Sequence, residues 1–184
     1  MHQSLKMTLA LSPLTLKDFL QLPNIEESPA WELINQVPSQ KPMPTLYHSR
    51  LQKRLVAKID NASTIYEALP EFRCVLSTNS IVPDIAITHT ARLPTTNQPL
   101  EGAPDWLIEI LFPDQRSTKI ITKIQTCLEE GTQLAWLIDP LEEIILVFQP
   151  HQPLLICRGD SILPVPSDLP LTLSAQEIFS WLQS

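Results

Sequence analysis

Long apolar runs are missing from this chain of 184 residues. No stretch approaches the roughly 18 residues that a membrane-spanning helix needs, so no membrane partner is expected. The first ten residues carry a single basic residue, Lys6, and only a weak apolar stretch, and no secretory signal peptide is expected there. Cysteine is sparse. Cys74, Cys127 and Cys157 are far apart and odd in number, which gives neither a disulfide framework nor a metal cluster. Three small buried thiols in a cytoplasmic protein are expected instead. The four histidines, His2, His48, His89 and His151, lack zinc-like spacing. Glycine is scarcer still, with three residues against eighteen prolines, so the chain is punctuated by proline. Repeats, low-complexity tracts and a domain linker are all absent, and no organic cofactor is expected.

Basic charge is also short. Thirteen Lys and Arg face 20 Asp and Glu, a net charge of -7. That balance argues against a freestanding, non-specific DNA binder, because phosphate affinity needs lysine and arginine. It does not exclude a DNA-acting enzyme, since an acidic metal site adds to the negative total. The charge is uneven: residues 1–60 hold seven Lys and Arg against five Asp and Glu, and residues 61–184 hold six against fifteen.

What is present reads as one α+β domain over residues 1–184, with 1–60 leading into a core at 61–184. Residues 14–22 predict a short amphipathic helix capped by Thr15. A strand is expected at 31–37, followed by a loop at 38–44 with three prolines. Leu51, Leu55 and Ile59 recur every four residues, which predicts a helix at 45–59. Strands are expected at 64–68, 72–76 and 81–88, then a polar connection at 92–102. Residues 106–111 form the clearest buried strand and 115–130 a helix, with Gly131 at its C-cap. Strands follow at 134–138 and 144–148, joined through Asp139-Pro140. A hairpin pairing 154–157 with 161–163 is expected around Gly159-Asp160, and Arg158-Gly159-Asp160 is read as its turn rather than an adhesion tripeptide. A last helix spans 174–182, with Ser174 as cap and Glu177 completing a capping box.

The chemistry concentrates between residues 83 and 123. Pro83-Asp84 opens the apolar run Ile85-Ala86-Ile87, and Glu109 sits inside the second run, on the same strand face as Leu107 and Leu111. A carboxylate inside a buried strand is costly unless a cation or dense hydrogen bonding compensates it. Two of them with a lysine close by describe a Mg²⁺ or Mn²⁺ site for phosphodiester hydrolysis, where the ion activates water and stabilises developing charge. An acidic-x-lysine strand would place the lysine at Leu111, where it is missing. Lys123, at the edge of the apolar stripe of the following helix, is better placed to reach inward than Lys119. Asp105, after Pro104, is read as a turn residue. Arg50, Arg54 and Lys58 form the only basic stripe, which fits either a phosphate-backbone contact or a solvated helix face. His48 is read as a cap-region side chain or a group just behind the site.

The chain resembles the Uma-type family of bacterial restriction-endonuclease-like proteins, within the PD-(D/E)xK nuclease superfamily. Trp31-Glu32-Leu33-Ile34, His48, Pro83-Asp84, Leu107 to Leu111 followed by Pro113, Lys123, and residues 131–140 carry the likeness. It departs at Gln36, Phe112 and Cys127, where the family usually has glycine, serine and tyrosine. The resemblance implies a restriction-endonuclease-like core, a mixed sheet flanked by helices. It implies metal held by Asp84 and Glu109, with Glu32 at the margin as an extra acid, and a homodimer. Two readings stay open: a Mg²⁺- or Mn²⁺-dependent DNA endonuclease with Asp84, Glu109, Lys123 and Glu32 as its catalytic group, and a degenerate nuclease-like scaffold acting as a dimeric interaction or DNA-associated protein.

Overall fold

A computed structural model describes residues 13–113 and 115–183. The segment read for a signal peptide lies outside them. Helix α1 (Leu16–Phe19) starts at Thr15, whose hydroxyl accepts from the Asp18 N–H at 3.2 Å. Strands β1 (Trp31–Ile34) and β2 (Val37–Gln40) form a hairpin in which Trp31 faces Gln40. This corrects the single strand expected at 31–37. Asn35 and Gln36 both take positive φ, 50° and 65°, and turn the chain between the strands. That is the backbone twist a two-residue hairpin loop requires. Pro38 is tolerated in β2 because this strand lies at the sheet edge.

Helix α2 (Leu46–Ala62) is capped by Thr45 and buries Leu51, Leu55 and Ile59, the residues whose spacing predicted it. Then come β3 (Tyr66–Pro70), β4 (Cys74–Val75), β5 (Ser80–Ile81) and β6 (Ile85–His89). The run expected as one strand at 81–88 is thus two strands, separated at Pro83-Asp84. The connection at 92–102 is not wholly irregular: a 3-10 turn, Thr90–Arg92, leads into it and β7 (Leu100–Glu101) ends it. Next are β8 (Trp106–Ile110), α3 (Ser117–Glu129), β9 (Leu134–Asp139), β10 (Ile144–Phe148), β11 (Leu155–Cys157) and α4 (Ala175–Ser180). Gly131 takes φ 114° just past α3, as a C-cap glycine should. The expected 154–163 hairpin does not form. Strand β11 pairs antiparallel with β10 instead, and Ile162 bridges to Ser174. Ser174 caps α4 by accepting from the Glu177 N–H, while the Glu177 carboxylate pairs with Lys58.

Two sheets result, with orders β2-β1-β5-β4-β7 and β11-β10-β9-β8-β6-β3. Each is mixed, with parallel pairs at β8-β9 and β4-β7. Alternation along β8 divides the core. Trp106, Ile108 and Ile110 face α2 and α4 in one cluster. Leu107 faces α3 and the smaller sheet in another, with Ile120, Ile124, Ile81 and Leu100. Glu109 shares this second face, so its carboxylate points between α3 and the smaller sheet. No helix among the described residues is long and apolar enough to cross a membrane.

Candidate metal centre

Strand register brings the two strand carboxylates together. Antiparallel pairing of Ile85 with Ile108 sets Asp84 beside the Glu109 end of β8. Asp84 is fixed there by accepting from the Ile110 N–H through Oδ2 at 2.7 Å. The smaller sheet supplies Glu32 from β1, whose Oε1 accepts from the Val82 N–H at 2.8 Å. From the opposite side α3, held by Ile120, Ile124 and Cys127, aims Lys123 into the same space. Asp84, Glu109, Lys123 and Glu32 are all buried, at 2%, 4%, 3% and 7% exposure. The four residues expected from the sequence therefore converge.

Lys123 Nζ lies 2.6 Å from Glu109 Oε1 and 2.5 Å from Glu32 Oε1, and donates to the Val82 carbonyl at 3.3 Å. A second ammonium, not expected from the sequence, enters from the end of β2. Lys41 Nζ donates to Asp84 Oδ1, Glu71 Oε2 and the same Val82 carbonyl, each at 2.8 Å. His48 is buried next to Asp84, with Nε2 3.1 Å from Oδ1, and its ring packs on Phe112 with centroids 4.9 Å apart. Gln52, from α2, donates to the Asp84 carbonyl at 2.7 Å and to Glu71 at 3.2 Å. His48 thus stands behind the site, as one of its two sequence readings held.

The electrostatics follow from burial and proximity. Burial pushes the Glu109 carboxyl up to about 8 against the pull of Lys123, and the Asp84 and Glu32 carboxylates add to the rise. Burial also acts to raise Asp84, but Lys41 and His48 reverse it and hold its carboxyl well below the usual range. Both lysines lose hydration, yet their acidic neighbours outweigh that loss and hold them above the usual lysine value. Four carboxylates (Glu32, Glu71, Asp84, Glu109) face two ammoniums (Lys41, Lys123), leaving a surplus of two negative charges when all are ionised.

Hard oxygen donors in excess of the nearby ammoniums suit a divalent cation of the Mg²⁺ or Mn²⁺ type. Glu109 Oε1 fits as a ligand, since it is buried and, despite the nearby Lys123, lacks an aligned hydrogen-bond donor. Glu32, Asp84, Glu109 and Lys123 line a cleft of about 30 Å³, enough for a water-sized occupant. Lys119, Gln115, Phe112 and Pro42 carry its wall outward into a groove of about 710 Å³ that Arg116 also lines.

The sequence matches the Uma2 family, described as "Putative restriction endonuclease", over residues 16–177. The chain belongs to the Uma2 family. Among solved structures it is similar to a crystal structure titled as "a putative nuclease belonging to DUF820" from Anabaena variabilis ATCC 29413. The two are 41% identical, with a TM-score of 0.85, over 92% of this chain and 99% of that one. Comparison with curated proteins finds no match. The restriction-endonuclease-like core that the resemblance implies is thus the fold of this Uma2 chain.

Other expected residues of the Uma2 chain lie elsewhere. Asp105 accepts from Thr88, the His89 N–H and Arg92, all outside the cleft, as befits a residue at a strand start. Arg50 donates to the Leu182 carbonyl and Lys58 pairs with Glu177, so this side of α2 meets the C-terminal segment. Neither these two nor Arg54 lines the cleft or its outer groove. Lys41, Gln52 and Glu71 escaped sequence reading. For Lys41 a signal existed: a hairpin turn at Asn35-Gln36 would have returned the chain beside Glu32.

Proposed function

We propose that this chain is a Mg²⁺- or Mn²⁺-dependent DNA endonuclease that hydrolyses phosphodiester bonds, with Asp84 and Glu109 as metal ligands. The observation that carries this reading is the gathering of three buried carboxylates, Glu32, Asp84 and Glu109, around Lys123 and Lys41 on one small cleft. Family membership and the likeness to a nuclease-titled structure support it. A bound divalent ion supplies Lewis acidity and a water of lowered pKa.

The chain's own residues do the rest. Glu32 holds Lys123 at the cleft, and the Lys123 ammonium faces negative charge that develops on the phosphate. Lys119, at the cleft wall, and Arg116, in the outer groove, position the substrate backbone. Three buried thiols fit a reducing compartment, the cytoplasm in this reading.

One observation favours the second reading, a dimeric nuclease-like scaffold. Leu154, Leu155 and Ile156 are exposed on and beside β11, the outermost strand of the larger sheet. An apolar sheet edge is a template for pairing with a second copy. Plasmid nicking in Mg²⁺ and in Mn²⁺ separates the readings. The endonuclease is expected to nick, and Asp84→Asn and Glu109→Gln to abolish it. Absence of nicking by folded, metal-loaded protein favours the scaffold.

A further inference from the structure

Lys41 occupies a position that has the chemistry of a cation site in its own right. Its ammonium has three N–H donors, and all three are spent on oxygens at 2.8 Å: a carboxylate of Asp84, a carboxylate of Glu71 and the Val82 carbonyl. The Lys41 side chain is 7% exposed, so this is a desolvated charge held by the protein. Around it, one ligand atom from each of His48, Glu71 and Asp84 lies within 4.8 Å of the other two. His48 is the independent sign of an incomplete ligand set. It is 3% exposed, its Nε2 faces Asp84 Oδ1 at 3.1 Å without an aligned hydrogen bond, and its Nδ1 has no hydrogen-bond partner. A buried imidazole without an aligned hydrogen bond is costly, and a cation shared with Asp84 would give its Nε2 a partner. A cleft of about 170 Å³, lined by Lys41, His48, Gln52, Glu71, Asp84 and Phe112, opens onto this half and supplies an entry path.

We propose that Lys41 is a tethered counter-cation that fills a second divalent site made by His48, Glu71, Asp84 and the Val82 carbonyl. With Lys41 in place, the protein holds a single ion, on the Glu109 side of Asp84. With Lys41 neutralised, a second ion enters. One imidazole nitrogen among oxygen donors makes that second site select Mn²⁺ over Mg²⁺. This inference rests on the metal reading only for the first ion. The His48 half stands on its own residues.

The test counts Mn²⁺ by calorimetry and by electron paramagnetic resonance in wild type, Lys41→Met and Lys41→Met/His48→Ala. Stoichiometry is expected to rise from one to two per chain in Lys41→Met and to return to one in the double variant. A folded Lys41→Met chain whose count does not rise overturns the inference. A wild type that binds no ion sinks the Asp84–Glu109 metal reading alone, and a rise from zero to one in Lys41→Met, lost with His48→Ala, then still supports this one. Should Lys41→Met unfold in metal-free buffer, Mn²⁺ is expected to restore its circular dichroism, and failure to do so counts against the site. Wild-type protein gives a further check by pulsed resonance: its bound Mn²⁺ is expected to show no imidazole nitrogen coupling. Such a coupling, lost in His48→Ala, would place the ion already on His48 and overturn the role given to Lys41.

Discussion

Glu109 is the residue on which the chemistry and the stability of the site both turn. Its folded pKa of about 8 stands above its ordinary 4.5, so the folded state keeps a proton that the unfolded chain gives up. The stability tied to that proton is complete below about 4.5 and is lost as pH rises through about 8. Asp84 acts with the opposite sign: its depressed pKa contributes stability above its ordinary value that is lost in acid. Metal-free wild type is therefore expected to lose melting temperature between pH 5 and pH 8.5, and Glu109→Gln to remove most of that decline. An equal decline in both proteins would contradict the burial argument. Lys123→Met leaves Glu32 and Glu109 buried without their ammonium, a change of the kind that costs about 3–5 kcal/mol. Urea unfolding measures it, and added Mn²⁺ is expected to recover part of the loss. Asp84, Glu109 and Lys123 were legible because each is a charge set inside or at the edge of an apolar pattern, whereas Glu32 was expected only from the family resemblance. Glu71 and Lys41 lie in no such pattern, and only the folded chain shows Lys41 and Gln52 both donating to Glu71 and both reaching Asp84, one at its carboxylate and the other at its carbonyl.

Among the elements, the β1-β2 hairpin has the most consequence for the site, because it carries Glu32 on one arm and delivers Lys41 at the end of the other. Its turn places Gln36 at φ 65°, a left-handed conformation that disfavours any residue with a Cβ. Gln36→Gly is expected to stabilise the protein by about 1 kcal/mol in thermal or urea unfolding, with a clear destabilisation as the contrary result. The sequence-based expectation read residues 31–37 as continuous because apolar residues run through Asn35-Gln36, a pair without the glycine that usually marks a two-residue turn. The same blindness to pairing partners misplaced β11, where local turn chemistry suggested a partner at 161–163 and the edge of β10 proved the better one. Helices α2 and α3 were legible because their apolar spacing is long and periodic. Phe112 packs on His48. Phe112→Ser is expected to loosen that ring and to lower the affinity of any ion that His48 binds in Lys41→Met.

Over the whole molecule, a net charge of -7 would have to coexist with the polyanionic substrate proposed above. Long-range attraction is unavailable to such a chain, so the proposed DNA affinity would have to come from local cations and fall with salt. Arg116 and Lys119 flank the route into the cleft. Fluorescence anisotropy of a labelled duplex is expected to show that Arg116→Ala/Lys119→Ala weakens binding across sequences and lowers the log–log salt slope by about two. A slope carried instead by Arg50, Arg54 and Lys58 would move the backbone path to the α2 side. The acidic total and its concentration after residue 60 were plain in the sequence, whereas the sharing of that acid between two ammoniums was not.

The most direct test of the metal centre is Mn²⁺ calorimetry at pH 7 and pH 9, in buffers of different ionisation enthalpy, on wild type and Glu109→Gln. A ligand protonated in the metal-free protein must give up its proton to the solvent when an ion binds. Binding to wild type is expected to release close to one proton per ion at pH 7 and fewer at pH 9, and Glu109→Gln to lose both binding and release. No binding, or proton-neutral binding that survives Glu109→Gln, contradicts a metal centre at Asp84 and Glu109.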